Sequence, residues 1–458
     1  MNDEADYETR AAIRPVKERI EDELLARPGV VAVDINEKVS GGRPTGELSI
    51  VVVVEQKRPT EDVPPDELVP AEVDGIPTDV QEGTIELQHA TRLVEARPQV
   101  DTARYDTLVG GISMGPERLI FLEPPDVPAP GFSMNVGTLG ALVADRTSRV
   151  TMALTNFHVA AVDTSWSVGD VMLQPGRPDG GTSADRFGTL TRAVLTEHTD
   201  GAVVTLDPGG RPWSAEIAEI GAVAGQGVAA VGLAVQKRGR TTERTFGTVT
   251  SVDATVRVPY GDGIGSRTLR RQIAVVADPL RSTRFSDQGD SGSVVLDMDR
   301  NVVGLLFAGR TDGSVTYVNP IQVALDELDV DLLGPPPVVD LTSRVGRDCY
   351  VFVPPPSRPC DLLTRVVPCP SSTPPCWDLS RTAMCTRGNL CFEQVDSRFC
   401  TWGGFDPGRP ADVPGIGGRG AAARRYGEWL DALDASYAAG YLAALQVAAR
   451  ERPEQDGR

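Results

Sequence analysis

The sequence predicts a mainly β protein with a small α/β unit at its N-terminal end. The 458 residues include 47 glycines and 36 prolines but only 5% aromatic residues, a balance that favours short strands joined by turns. Hydrophobic residues make up 40% and charged residues 24%, as in ordinary globular cores. From Leu108 to about Leu333, short apolar runs alternate with turns of Gly, Asp and Ser, which is typical of a β-sandwich or β-barrel.

Residues 1–105 are predicted to form a helix and a small α/β domain. The first 27 residues are charged and amphipathic, and they lack the apolar segment of a secretory signal. We therefore expect a cytoplasmic protein, or one exported by a non-classical route. The next stretch, "GVVAVDINEKVSGGRPTGELSIVVVVEQKRP", has two β-branched runs around a glycine-rich turn and predicts a hairpin. We expect a packed accessory domain, with a propeptide or an inhibitor of the active site as alternatives.

The C-terminal part is predicted to be an irregular Pro/Cys-rich region, 334–410, followed by a linker and an amphipathic helix, 411–458. The region contains all seven cysteines: Cys349, Cys360, Cys369, Cys376, Cys385, Cys391 and Cys400. Their spacing contains no C-x-x-C pair, so disulfides and reduced thiols both remain open and a metal site is weakly supported. From Tyr426 onward, apolar residues recur every three or four positions, as on one face of a helix.

Charge excludes some classes of partner. The formal net charge is −19 and the pI is about 4.7, which argues against nonspecific nucleic-acid binding and against docking on anionic membranes. No stretch is long and apolar enough to predict a membrane span.

The stretch "FSDQGDSGSVVL", Phe285 to Leu296, contains a serine between two glycines directly before an apolar run. Glycines cost backbone entropy, so this arrangement indicates either a surface turn or a nucleophile on a tight turn. A nucleophilic serine needs a base of near-neutral pKa and a carboxylate behind that base.

Histidine and aspartate candidates for these roles are few. His158 lies in "VTMALTNFHVAA", after a strand-like run, and Asp200 lies in "TDGAVVTL", where a polar loop enters a predicted strand. Each could equally be an ordinary core histidine or a turn-capping aspartate. Aspartates in more open turns rank below Asp200: Asp163, Asp170, Asp185 and Asp207. The pair His198 and Asp200 lacks a third ligand, so we predict no metal and no cofactor.

Taken in order, His158, Asp200 and Ser291 resemble the triad of chymotrypsin-like (trypsin-like) serine peptidases of bacterial type. The resemblance is carried by "LTNFHVA", "DGAVVTL", "GDSGS" and "VVGLLFAG", and by "VQKRGRTTERTFGTVTSV", which resembles the start of the second barrel in streptogrisin-type members. It covers about residues 108–333 and implies a double β-barrel catalytic domain over residues 106–333. It also implies a serine endopeptidase that acts on protein or peptide substrates, with His158 as general base, Asp200 as orienting carboxylate and Ser291 as nucleophile.

The resemblance further implies an oxyanion hole made by the backbone N–H groups of Gly289 and Ser291. It places Phe285 at the base of the primary pocket, and the strand Phe307, Ala308 and Gly309 beside the substrate backbone. With no carboxylate at the pocket base, a small or medium apolar residue is expected before the cut.

Two departures from the family matter. The region 106–333 has no cysteine, which fits a reducing compartment. The N-terminus that many animal members insert beside the aspartate of this motif is also missing, so Asp290 needs another partner. The alternative function is a catalytically silent peptide-binding or scaffold protein on a peptidase fold.

Overall fold

The computed structural model describes residues 2–88, 90–91, 100–122, 131–261, 263–334, 360–369, 376–385, 390–391 and 398–400. The chain separates into two compact units, 1–335 and 336–458. The finer division near residues 105 and 410 stays a prediction. Among the described helices, none has the length and apolar character needed to cross a membrane.

The N-terminal part of the first unit is a helix packed on a small sheet. Its elements are α1 (Asn2–Leu25), β1 (Val30–Ser40), β2 (Arg43–Val54), a 3-10 turn (Thr60–Asp62), β3 (Glu72–Val73), β4 (Ile76–Glu82), β5 (Ile85–Leu87) and β6 (Ala90–Thr91). Strands β1 and β2 form the antiparallel hairpin that the sequence predicts, and β4 runs parallel to β2. Apolar residues of α1, such as Ile13 and Leu24, pack on buried positions of the hairpin such as Ile35 and Val52.

The next strands close into a first β-barrel. The elements of this part of the chain are β7 (Leu108–Gly110), β8 (Ile112–Pro116), β9 (Ile120–Leu122), β10 (Gly131–Ser133), β11 (Asn135–Leu139), β12 (Ala141–Asp145), β13 (Thr151–Thr155), α2 (Phe157–Ala160), β14 (Val171–Leu173), 3-10 turns (Arg177–Asp179 and Ser183–Asp185), β15 (Arg186–Leu195), β16 (Asp200–Leu206), β17 (Trp213–Ile217), β18 (Gly221–Ala222) and β19 (Gly225–Gln226). Strands β7, β17 and β18 form a separate small sheet, β9 and β10 form another, and β19 pairs with residues 301–302 outside this barrel. Pairing runs from β12 through β13, β16, β15, β14 and β8 to β11. Because Gly140 alone separates β11 from β12, this bent strand closes the ring.

A second ring of strands follows. Its strands are β20 (Ala234–Gly239), β21 (Glu243–Pro259), β22 (Ser266–Ala277), β23 (Val294–Asp297), β24 (Asn301–Arg310) and β25 (Thr316–Pro320). After them come α3 (Ile321–Glu327) and β26 (Val330–Leu332), which returns to pair with β12 of the first barrel. Strand β20 pairs with both β23 and β21, so the order β20-β23-β24-β25-β22-β21 returns to its start. Closure leaves few unpaired edges and encloses a core that includes Val235, Val275 and Leu306.

The N-terminal sheet is continuous with the second barrel. Strand β1 pairs antiparallel with β21, at Ala32 opposite Val256. Beside this junction, the buried Lys17 Nζ lies 2.5 Å from Glu21 Oε2 and also donates to Thr255 Oγ1 at 2.5 Å. A buried charge requires such partners, and here they tie α1 to β21.

The first unit is thus a mainly β, chymotrypsin-like double β-barrel with a small α/β part, which confirms the predicted fold class. In the second unit, four strands lie in the region predicted as irregular: β27 (Cys360–Cys369), β28 (Cys376–Cys385), β29 (Leu390–Cys391) and β30 (Arg398–Cys400). Pro368 is the last residue but one of β27, near a strand end, where proline is tolerated. The helix predicted from Tyr426 onward lies outside the described residues.

Candidate active site

His158 and Asp200 meet at the edge of the first barrel. His158 lies on the short buried helix α2, directly after β13, and Asp200 is the first residue of β16, which pairs with β13. The imidazole Nδ1 contacts Asp200 Oδ2, and the backbone N–H of His158 donates to Asp200 Oδ1 at 3.2 Å. The carboxylate therefore fixes both the ring and the backbone of His158.

Three further groups hold Asp200, which is fully buried. The Tyr260 hydroxyl donates to Oδ2 at 2.7 Å. The Asp200 backbone N–H donates to Asn319 Oδ1 at 3.2 Å, and the Asn156 amide donates to the Asp200 carbonyl at 2.7 Å. Burial and the neighbouring Asp200 charge raise the pKa of Tyr260 well above its usual range, so this phenol remains a proton donor.

Ser291 lies on the loop that leads into β23. Its backbone carbonyl accepts the N–H of Thr138 at 2.8 Å, which ties the loop to β11. A Cβ placed on Gly137 would lie 2.6 Å from Val159, the neighbour of His158, and 2.9 Å from the Ser291 carbonyl oxygen. The serine loop and α2 therefore approach the same point of β11. The Ser291 hydroxyl donates to the Phe307 carbonyl at 3.1 Å.

The backbone N–H groups of Gly289 and Ser291 point at one oxygen. Both donate to the carbonyl of Gln88, at 2.7 and 3.0 Å. Gly289 has φ +99°, and a Cβ there would lie 2.2 Å from Thr241 Oγ1, so only glycine allows this loop conformation. Two N–H groups aimed at one carbonyl have the geometry of an oxyanion hole.

Asp290, between these two residues, finds its partner in Lys237. Both side chains are fully buried, with Lys237 Nζ 3.2 Å from Asp290 Oδ2. Asp290 also accepts the backbone N–H groups of Thr241, Thr242 and Asp287 at 2.8, 3.1 and 2.9 Å. Burial lowers the pKa of Lys237, while the Asp290 charge opposes that shift.

The residues predicted to bind substrate lie in or beside β24. Ala308 and Gly309 pair antiparallel with Leu87 and Glu86 of β5. The Phe307 side chain is buried in the core, while its carbonyl accepts the N–H of Gln88 at 3.1 Å.

Phe285, the predicted pocket base, is 1% exposed. Its side chain packs in the core of the second barrel, with Val249 and Leu306 among its cluster.

Sequence reasoning missed several residues of this site, among them Gln88, Tyr260 and Lys237. Lys237 lies inside a stretch already compared with the family, and a search for a partner of Asp290 could have found it. Tyr260 and Gln88 carry no local signal, because a tyrosine after a long strand and a glutamine after alternating apolar residues are both ordinary. Within the described part of the chain, no group of three or more His, Cys, Asp or Glu residues is arranged to hold a metal ion.

No protein-family model matches the chain, and no curated protein sequence matches it. Among solved structures, the chain is similar to Thermobifida fusca protease A, with 18% identity over 50% of this chain and 99% of that one, at a TM-score of 0.35. It is similar to Nocardiopsis protease, with 18% identity over 49% and 97% of the two chains, at 0.35. A homologue of α-lytic protease, N4, gives 19% identity over 50% and 100%, again at 0.35. The fold assignment stands on the strand pairing of the two barrels.

Proposed function

We propose that the protein is a serine endopeptidase that acts on protein or peptide substrates. The observation that supports this most is the convergence of the Gly289 and Ser291 N–H groups on one peptide carbonyl, that of Gln88. A carbonyl held there is polarised for attack by an adjacent hydroxyl. The buried pair of His158 and Asp200, beside the point of β11 that the Ser291 loop also approaches, supplies the base and its orienting acid.

In the proposed reaction, Ser291 Oγ attacks the substrate carbonyl and gives its proton to His158 Nε2. Asp200 holds the imidazole in the tautomer that has its proton on Nδ1 and stabilises the imidazolium. The amine leaves with the proton from His158, and water then hydrolyses the acyl-enzyme by the same route. In the structure the Ser291 hydroxyl donates to the Phe307 carbonyl, so attack requires it to turn toward the imidazole.

Strand β5 covers the edge of β24 that a substrate would use, and the Gln88 carbonyl lies on the Gly289 and Ser291 N–H groups. The test therefore uses a variant that loosens β5. Leu87 is 5% exposed, so Leu87→Glu would bury a charge, and the cost of that burial favours release of the segment from β24. A fluorophosphonate probe is expected to label Leu87→Glu but not Leu87→Glu/Ser291→Ala. The matched control is Leu87→Glu/Ser314→Ala, which removes an exposed serine and keeps labelling. A folded Leu87→Glu protein that takes no label would favour the catalytically silent peptide-binding alternative.

A further inference from the structure

Strand β5 lies in the cleft as the acyl side of a peptide substrate would. It pairs antiparallel with β24, with Leu87 opposite Ala308 and Glu86 opposite Gly309. This is the edge that the family resemblance places beside the substrate backbone. Strand addition to an exposed sheet edge is a general mode of peptide recognition, in which main-chain hydrogen bonds set the register.

Gln88 is held at both of its backbone groups. Its N–H donates to the Phe307 carbonyl at 3.1 Å, and its carbonyl accepts the N–H groups of Gly289 and Ser291 at 2.7 and 3.0 Å. The carbonyl carbon of Gln88 is therefore placed beside the serine whose hydroxyl would attack it. Such positioning makes an intramolecular reaction far faster than an encounter between two molecules.

The chain continues beyond Gln88 along the first barrel. Ala90 and Thr91 of β6 pair antiparallel with Val136 and Asn135 of β11. The backbone thus approaches the serine along β24 of one barrel and departs along β11 of the other. After cleavage, the piece that ends at Gln88 would make only the pairing with β24, and the other piece only the pairing with β11. An uncleaved substrate makes both pairings at once.

The side chain of Gln88 is enclosed as well. It is 4% exposed, and a Cβ on Gly309 would lie 2.2 Å from its Nε2, so the glycine leaves the space that the amide fills. Gln88 Oε1 is buried, and among the described residues no donor reaches it. The side chain before the bond is thus polar and uncharged, whereas the sequence led us to expect an apolar one.

We propose that the chain is its own substrate and cleaves the bond between Gln88 and the next residue, His89, within one molecule. This rests on the proposed function. Ser291 Oγ forms an ester with the Gln88 carbonyl carbon, the C–N bond breaks, and the proton taken by His158 passes to the leaving amine. Water then attacks the ester, so that Gln88 ends as a carboxylate and Ser291 regains its proton. Peptides with glutamine before the cut are the matching class of external substrate.

The two products remain associated. Residues 1–88 keep the pairing of β1 with β21 and the buried contacts of Lys17 with Glu21 and Thr255. Cleavage therefore changes the chain covalently while the N-terminal piece stays on the second barrel. We expect the pieces to elute together in native buffer and to separate in denaturant.

The test is intact-mass analysis of the full-length chain after incubation in denaturant-free buffer. Wild type is expected to give pieces 1–88 and 89–458, and Ser291→Ala to stay whole. Gln88→Glu, which places a charge where no donor of the described residues reaches, is expected to be cleaved at least tenfold more slowly. The matched control Gln56→Glu changes an exposed glutamine of the same unit and keeps the wild-type rate. Tenfold dilution leaves the rate unchanged, because the reaction is intramolecular.

Two results would overturn the proposal. One is wild type that stays whole while Leu87→Glu takes the fluorophosphonate at Ser291, which leaves the peptidase function standing but removes self-cleavage. The other is cleavage of Ser291→Ala by added wild type at the rate of wild type alone, which shows a reaction between molecules. Failure of the peptidase function itself is recognised separately, by a folded Leu87→Glu protein that takes no label.

Discussion

The substitution Lys237→Met tests whether the buried charge of Asp290 depends on its cation. Both side chains are fully buried, with Lys237 Nζ 3.2 Å from Asp290 Oδ2. Removal of one partner of such a pair typically costs 3–5 kcal/mol, because the other charge stays buried and unpaired. Asp290 keeps hydrogen bonds from Thr241, Thr242 and Asp287. These donors favour the lower end of that range, about 3 kcal/mol.

The assay is urea-induced unfolding followed by tryptophan fluorescence. Trp166, whose ring packs edge-on against Phe157 at 6.4 Å, contributes to this signal together with the four other tryptophans of the chain. A double-mutant cycle with Asp290→Asn isolates the interaction of the pair. We expect Lys237→Met/Asp290→Asn to lose less stability than the sum of the two single variants, because the double variant leaves no unpaired buried charge. Lys237→Met within about 0.5 kcal/mol of wild type, or additive losses, would show that the backbone donors alone hold Asp290.

Three other predictions concern single side chains. Burial raises the pKa of Asp34 from 3.8 to about 6. Because the folded state then binds this proton more tightly than the unfolded state, the free energy of unfolding falls by about 3 kcal/mol as pH rises from 3.8 through 6. The pH dependence of thermal unfolding of Asp34→Asn should lack this decline. Tyr260→Phe removes a donor from Asp200, which then holds the imidazolium more strongly. In the Leu87→Glu background, the acid limb of the pH–rate profile for the proposed peptide hydrolysis should therefore move to higher pH, and an unmoved limb with lower stability would indicate a structural role alone. Gly309→Val fills the space beside Gln88, so intact-mass analysis should show self-cleavage at least tenfold slower than in wild type; an unchanged rate would show that this space is not required.

Local sequence was informative where chemistry imposes a residue type. The loop around Ser291 needs glycine at 289 because the backbone there has φ +99° and no room for a Cβ, and this requirement leaves a visible motif. His158 follows strand β13, and Asp200 begins the neighbouring strand β16. Both could therefore be recognised as candidates from strand-like runs in the sequence. The structure brings His158 and Asp200 into contact and places the Ser291 loop against β11, which α2 also approaches. The roles of these three residues stay proposals.

Other parts of the site depend on long-range pairing that leaves no local signal. Tyr260 reaches Asp200 across 60 positions, and Lys237 reaches Asp290 across 53. Gln88 enters the cleft because β5 pairs with β24, whose residues lie more than two hundred positions away in the chain. An edge strand accepts any extended backbone, so its occupant cannot be named from its own sequence.

The sequence by itself determined the mainly β class, the N-terminal helix and hairpin, and the order of the histidine, aspartate and serine motifs. These depend on periodicity and turn chemistry, which act between near neighbours. Only the tertiary structure decided that the N-terminal sheet is continuous with the second barrel, that Lys237 pairs with Asp290, and that the Gln88 carbonyl accepts the N–H groups of Gly289 and Ser291. Those outcomes follow from which strand edges and buried charges meet once the chain is compact, and distance along the chain does not encode them.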